Sequence, residues 1–139
     1  MKRRERSAVF SLALLAAVFA SGNGWAEEIK FAVKSDVFYL SKPEAEVTPY
    51  ERQMCRLDIH YPENGPGFPT VVWIHGGGLY SGTRKLVGPM KTSPGKLREH
   101  GVAIVSLDYR LSPKVTCPAY LEDVAAGVAW AFRNIQHFG

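Results

Sequence analysis

Polar and apolar residues alternate in two stretches between residues 27 and 61, then give way to solid apolar runs and a helical repeat. Ile29, Phe31 and Val33 alternate with Lys30, Ala32 and Lys34, and Val37 to Leu40 continue in residues that favour extended backbone. Residues 27–40 are therefore predicted to form an edge strand or one arm of a hairpin. Ser41 to Pro49, with two prolines among polar residues, reads as a loop. Cys55, Leu57, Ile59 and Tyr61 alternate with Arg56, Asp58 and His60, the pattern of a half-buried strand, and the turn cluster Pro62 to Gly67 closes it. Thr70 to Ile74 is a continuous apolar run bounded by breakers, which predicts a strand buried on both faces.

The remainder alternates helix and strand. Gly95 to His100 reads as a short helix stopped by Gly101. Val102 to Leu107 is a second buried strand ending at Asp108. After a loop through Pro113, Pro118 is well suited to open a helix. Tyr120, Val124, Val128, Phe132 and Ile135 then recur at three- and four-residue steps, an amphipathic pattern. Trp73, Trp130 and Phe132 are expected in the core. Buried strands alternating with helices predict an α/β fold, with a mostly parallel sheet and helices on both faces. The crossover that the last helix begins calls for another parallel strand, so the sheet is expected to be incomplete within residues 27–139.

Charge changes the picture only at the N-terminus. Lys2, Arg3, Arg4 and Arg6 precede the 13-residue apolar stretch Ala8 to Ala20, and Gly24-Trp25-Ala26 places small residues where a signal peptidase needs them. Residues 1–26 are expected to be a signal peptide cleaved after Ala26, leaving an exported, periplasmic or secreted domain over 27–139. The apolar stretch is shorter than the roughly 20 residues of a membrane-spanning helix, so no membrane association is expected after cleavage. The formal net charge of +4 resides mainly in this leader, because the rest carries 13 basic and 12 acidic residues. A nucleic-acid partner therefore has no basic stripe to hold it. The two cysteines, Cys55 and Cys117, are compatible with a disulfide in an exported protein but form no framework, and neither has metal-ligand spacing with a histidine.

The chemistry concentrates in Trp73-Ile74-His75-Gly76-Gly77-Gly78, directly after a buried strand. Three consecutive glycines remove every Cβ from a turn, so its N–H groups can approach a ligand closely and stabilise an oxyanion. This stretch resembles the oxyanion motif of α/β-hydrolase esterases, most closely the hormone-sensitive-lipase-like and feruloyl-esterase-like carboxylesterases. Arg56 to Pro62, Asp108-Tyr109-Arg110-Leu111-Ser112-Pro113, and Pro118-Ala119 to Asp123 leading to Trp130 resemble further segments of that family in the same order. The resemblance implies that Gly77 and Gly78 present N–H groups to the substrate oxyanion. It implies too that His75 and Gly76 support the loop, that Asp108, Arg110 and Asp123 are structural, and that no cofactor is needed. Asp108, Arg110 and Asp123 read either as an internal ion-pair network that holds the loops or as separate solvated charges, and Tyr80 and Ser81 either as substrate contacts or as plain surface loop.

One departure matters. The family's nucleophile lies in Gly-x-Ser-x-Gly, and no such pentapeptide occurs here. Nucleophile, acid and histidine follow in that chain order, so the triad is expected downstream of Gly139 and the 139 residues alone are expected to be inactive. The expected function is an exported serine carboxylic-ester hydrolase acting on small-molecule or polysaccharide-linked esters. A peptidase or amidase on the same fold, a non-catalytic hydrolase-like binding protein and an inactive fragment remain alternatives.

Overall fold

The computed structural model describes residues 29–63, 65–86 and 93–139, so the expected signal peptide lies outside the described residues. Strand β1 (Phe31–Phe38) is followed by helix α1 (Pro49–Met54), β2 (Arg56–Pro62), β3 (Thr70–Ile74), α2 (Ser93–Glu99), β4 (Ala103–Leu107) and α3 (Ala119–Asn134). The strands form one sheet in the order β1-β2-β4-β3. β2 is antiparallel to both β1 and β4, and only β3 and β4 run parallel. The described sheet is thus mixed, where alternation of strands and helices predicted a mostly parallel one. The reason is local: β1 and β2 are joined without a crossover spanning the sheet, which returns the chain antiparallel, whereas β3 and β4 are joined through α2.

The two faces of the sheet are chemically distinct. Leu57 and Ile59 of β2 and Val105 and Leu107 of β4 are fully buried, with Val72, Tyr120, Val124 and Trp130 packed against them on the α3 side. The helix lies close to the strands: a Cβ on Gly127 would stand 2.9 Å from Leu107 Cδ2. Alternation turns Asp58, His60, Ile104 and Ser106 to the other face, where α2 brings Arg98. Burial and the Arg98 charge hold the His60 imidazole below its ordinary pKa. Helices therefore cover both faces, as expected.

Three sequence expectations change. Ser41 to Pro49 is not simply a loop, because Thr48 and Pro49 start α1. The Thr48 hydroxyl accepts the Glu51 N–H at 3.2 Å and the Glu51 carboxylate accepts the Thr48 N–H at 2.9 Å, a reciprocal cap that holds this short helix. β3 is not buried on both faces. Thr70 and Ile74 are exposed, since among the described residues β3 pairs with β4 alone and forms the sheet's edge. Phe132 is 81% exposed on the outer flank of α3 and takes no part in the core. Cys55 is buried and Cys117 exposed, and both are free thiols. Burial, reinforced by the negative charge of Asp123, pushes the Cys55 thiol up to about 12.

A buried ionic cluster ties α1 and α3 to the segment after β4. Arg110 Nε and Nη2 each donate to Asp123 at 2.7 Å, and the Arg110 N–H donates to the same carboxylate at 3.0 Å. Arg110 Nη1 also lies 3.3 Å from Glu51, which Lys42 reaches at 2.7 Å. Burial alone would raise the Glu51 pKa, but the hydrogen bonds from Lys42 and Thr48 bring it down from 4.5 to about 2. Its folded pKa is depressed, so its stabilisation is complete above about pH 4.5 and drains away as pH falls toward 2. Thermal melts from pH 7 to pH 2 should show this loss. Glu51→Gln should be less stable than the wild type at pH 7 and fall less steeply with acid. An identical pH slope in both proteins would refute the assignment.

Candidate functional site

The residues after β3 form a tight loop whose shape is dictated by glycine. Gly77 and Gly78 have φ of 112° and 62°, and Leu79 follows at 70°. The Gly77 carbonyl accepts N–H groups from Tyr80 at 3.1 Å and Ser81 at 3.3 Å, closing the turn. A Cβ on Gly77 would lie 2.0 Å from the Ser81 carbonyl oxygen, and one on Gly82 would lie 2.1 Å from His75 Nδ1. Only glycine fits at either point. Among the described residues, the Gly77 and Gly78 N–H groups donate to no protein acceptor, and both residues are exposed. Two neighbouring donors without protein partners can take an anionic oxygen.

The loop is moored to the sheet on both legs. The His75 ring is buried and stacks on Tyr109, with ring centres 4.5 Å apart, and the Tyr109 hydroxyl donates to the His75 carbonyl at 3.0 Å. His75 Nδ1 lies 2.8 Å from the Gly76 carbonyl, and Nε2 faces Asp108 Oδ1 at 3.6 Å. The Ser112 N–H donates to the Leu79 carbonyl at 2.9 Å, fixing the tip against the segment after β4. His75 is buried at the foot of the loop and Gly76 is exposed beside it. Tyr80 is 70% exposed, and Ser81 is exposed beside it.

The second leg carries a residue that sequence reasoning missed. The Arg84 guanidinium donates to three carboxylates: Nε to Asp58 at 2.9 Å, Nη2 to Asp36 at 2.8 Å, and Nη1 to Asp108, which also accepts the Arg84 N–H. Lys85 reaches Asp58 at 2.9 Å. Burial opposes ionisation of Asp58, but the Asp36 N–H, Arg84 and Lys85 together hold its pKa below the ordinary value. Asp36 supplies its N–H because β1 is irregular between Lys34 and Val37, with Asp36 at φ 62°. Asp108, Arg110 and Asp123 are all ion-paired rather than solvated, but in two groups. Asp108 belongs to Arg84, and Arg110 to Asp123 and Glu51.

A glycine turn at the C-terminal end of a strand, beside a parallel neighbour and under helices on both faces, belongs to the α/β-hydrolase class. Esterase B from Lactobacillus rhamnosis superposes on this chain with a TM-score of 0.60 and 25% identity, over 81% of this chain and 32% of that one. Residues 57–139 match the BD-FAE family, and the chain belongs to it. Esterase LipI of Mycobacterium tuberculosis is 33% identical over 88 residues, 58% of this chain and 26% of LipI. Glutactin of Drosophila melanogaster is 33% identical over 92 residues, 60% of this chain and 8% of glutactin. The chain thus spans about a quarter or less of the length of these relatives.

Proposed function

We propose that this chain supplies the oxyanion-binding half of an exported serine carboxylic-ester hydrolase. The observation that carries this reading is the pair of N–H groups on Gly77 and Gly78 that have no acceptor among the described residues, in a turn that requires glycine at position 77. In the reaction, a serine hydroxyl contributed by sequence outside these 139 residues loses its proton to a histidine and attacks the ester carbonyl. The carbonyl oxygen becomes anionic and takes the Gly77 and Gly78 hydrogen bonds. The carbon–oxygen bond to the alcohol then breaks, and the alcohol leaves with the proton from histidine. Water repeats the sequence on the acyl-enzyme and releases the acid. No cofactor enters. Small or polysaccharide-linked esters are the proposed substrates, and the leader at residues 1–26 supports export.

The test is hydrolysis of p-nitrophenyl acetate and butyrate by the full-length protein and by residues 27–139 alone. The expected result is turnover by the first and none above buffer by the second. A full-length protein that neither hydrolyses these esters nor is labelled by a fluorophosphonate would overturn the reading.

A further inference from the structure

We infer that Arg84 is the positioning residue of the oxyanion loop, holding its two legs at a fixed separation by gripping the carboxylate that His75 also faces. This rests on the oxyanion reading of Gly77 and Gly78 and adds a residue to it. Arg84 lies just past the loop, two residues after Gly82, where a Cβ would run into the His75 ring. Its guanidinium collects Asp36 from β1, Asp58 from β2 and Asp108 from the end of β4. His75, on the first leg, faces Asp108 Oδ1, the same oxygen that accepts the Arg84 N–H. One carboxylate at the sheet's end is therefore the common footing of both legs.

The charges make this footing depend on arginine. Asp58 and Asp108 are buried and, with Asp36, make three carboxylates gathered on one guanidinium, countered by Arg84, Lys85 and, at 3.7 Å from Asp36, Arg56. Among the described residues Lys85 reaches Asp58 and Arg56 reaches Asp36, and Arg84 is the one lysine or arginine that pairs with Asp108. A lysine at position 84 would keep the charge but has no planar fork able to face three carboxylates at once. Loss of the fork frees Asp108 to shift, and His75 and the turn behind it shift with it. Displacing an oxyanion donor weakens a bond made mainly in the transition state, so the loss falls on kcat and spares KM.

The experiment compares Arg84→Lys and Arg84→Gln in the full-length protein, with kcat normalised to active sites titrated by a fluorophosphonate. The expected result is a 10- to 100-fold fall in kcat per titrated site, with KM within twofold, and Arg84→Lys the milder. A merely structural role would lower the fraction of titratable sites and leave kcat per site unchanged, which would overturn the proposal. The backbone amides of Gly76 to Leu79, followed by NMR, give a readout independent of activity. They are expected to be sharp in the wild type and exchange-broadened in Arg84→Lys. If the wild type hydrolyses no ester, the esterase reading fails by itself, and unchanged amide lines in Arg84→Lys would sink the positioning role separately. Arg84→Lys, which keeps the buried charge, serves if Arg84→Gln does not fold.

Discussion

Gly77→Ala is expected to lower kcat of the full-length protein by at least about 100-fold, the scale on which an oxyanion donor acts, with KM changed less than about twofold. The new methyl would sit 2.0 Å from the Ser81 carbonyl oxygen and 2.6 Å from its carbon, at a φ of 112° that L-residues rarely adopt. The obstacle is backbone, so no side-chain rotation relieves it. Ser81 must move, and the Tyr80 and Ser81 hydrogen bonds to the Gly77 carbonyl go with it. Neighbouring glycines supply the control. A Cβ on Gly78 meets nothing within 4 Å, and its φ of 62° costs an alanine about 1–2 kcal/mol. A Cβ on Gly76 also meets open space, without a left-handed backbone. Steady-state rates on p-nitrophenyl butyrate should therefore fall most for Gly77→Ala, less for Gly78→Ala and least for Gly76→Ala. Wild-type turnover by Gly77→Ala would remove the turn from the mechanism.

Asp123→Ala is expected to be the most destabilising single change in the described core, costing about 3–5 kcal/mol in denaturant unfolding of the full-length protein. Asp123 is 1% exposed and accepts three hydrogen bonds from Arg110, two from the guanidinium and one from the backbone. The pair holds the Arg110 pKa above its ordinary value, chiefly through the Asp123 hydrogen bond. Removing the carboxylate strands a charge that Glu51 at 3.3 Å only partly compensates. Removing both charges is a different experiment, because an apolar pair of similar volume leaves nothing unpaired. Arg110→Met combined with Asp123→Leu should recover much of the loss. Equal destabilisation by the single and double changes would show that shape, rather than charge, governs this contact.

The elements carrying a clear period were legible in the chain. The alternation at Cys55 to Tyr61, the apolar run at Val102 to Leu107 and the helical repeat from Tyr120 to Ile135 all became the elements predicted, and the glycine turn lies at the end of a strand as expected. Helix α1 was missed although its Thr48-x-x-Glu51 cap is written in the sequence, because two prolines nearby drew the reading toward a loop. Burial of β3 and Phe132 misled for another reason: an apolar run reports what could be covered, whereas exposure depends on which strands and helices lie alongside. Arg84 was not legible at all. A lone arginine in an irregular segment has no spacing signature, and its meaning arises only when three strands deliver Asp36, Asp58 and Asp108 to one place.

The Gly77 and Gly78 donors are held by backbone bonds within the turn and by its mooring to the sheet's end, and neither support uses the Tyr80 side chain. Leu79 is bound through its carbonyl, and the Tyr80 N–H bonds to the Gly77 carbonyl through backbone alone, so neither asks for a particular side chain at 80, whereas the Ser81 hydroxyl also reaches the Gly77 carbonyl at 3.5 Å. Tyr80 projects outward from a frame that does not need it. On the proposed esterase reading, the outward side chain of Tyr80 can be exchanged without disturbing the donors behind it, a separation of appetite from apparatus.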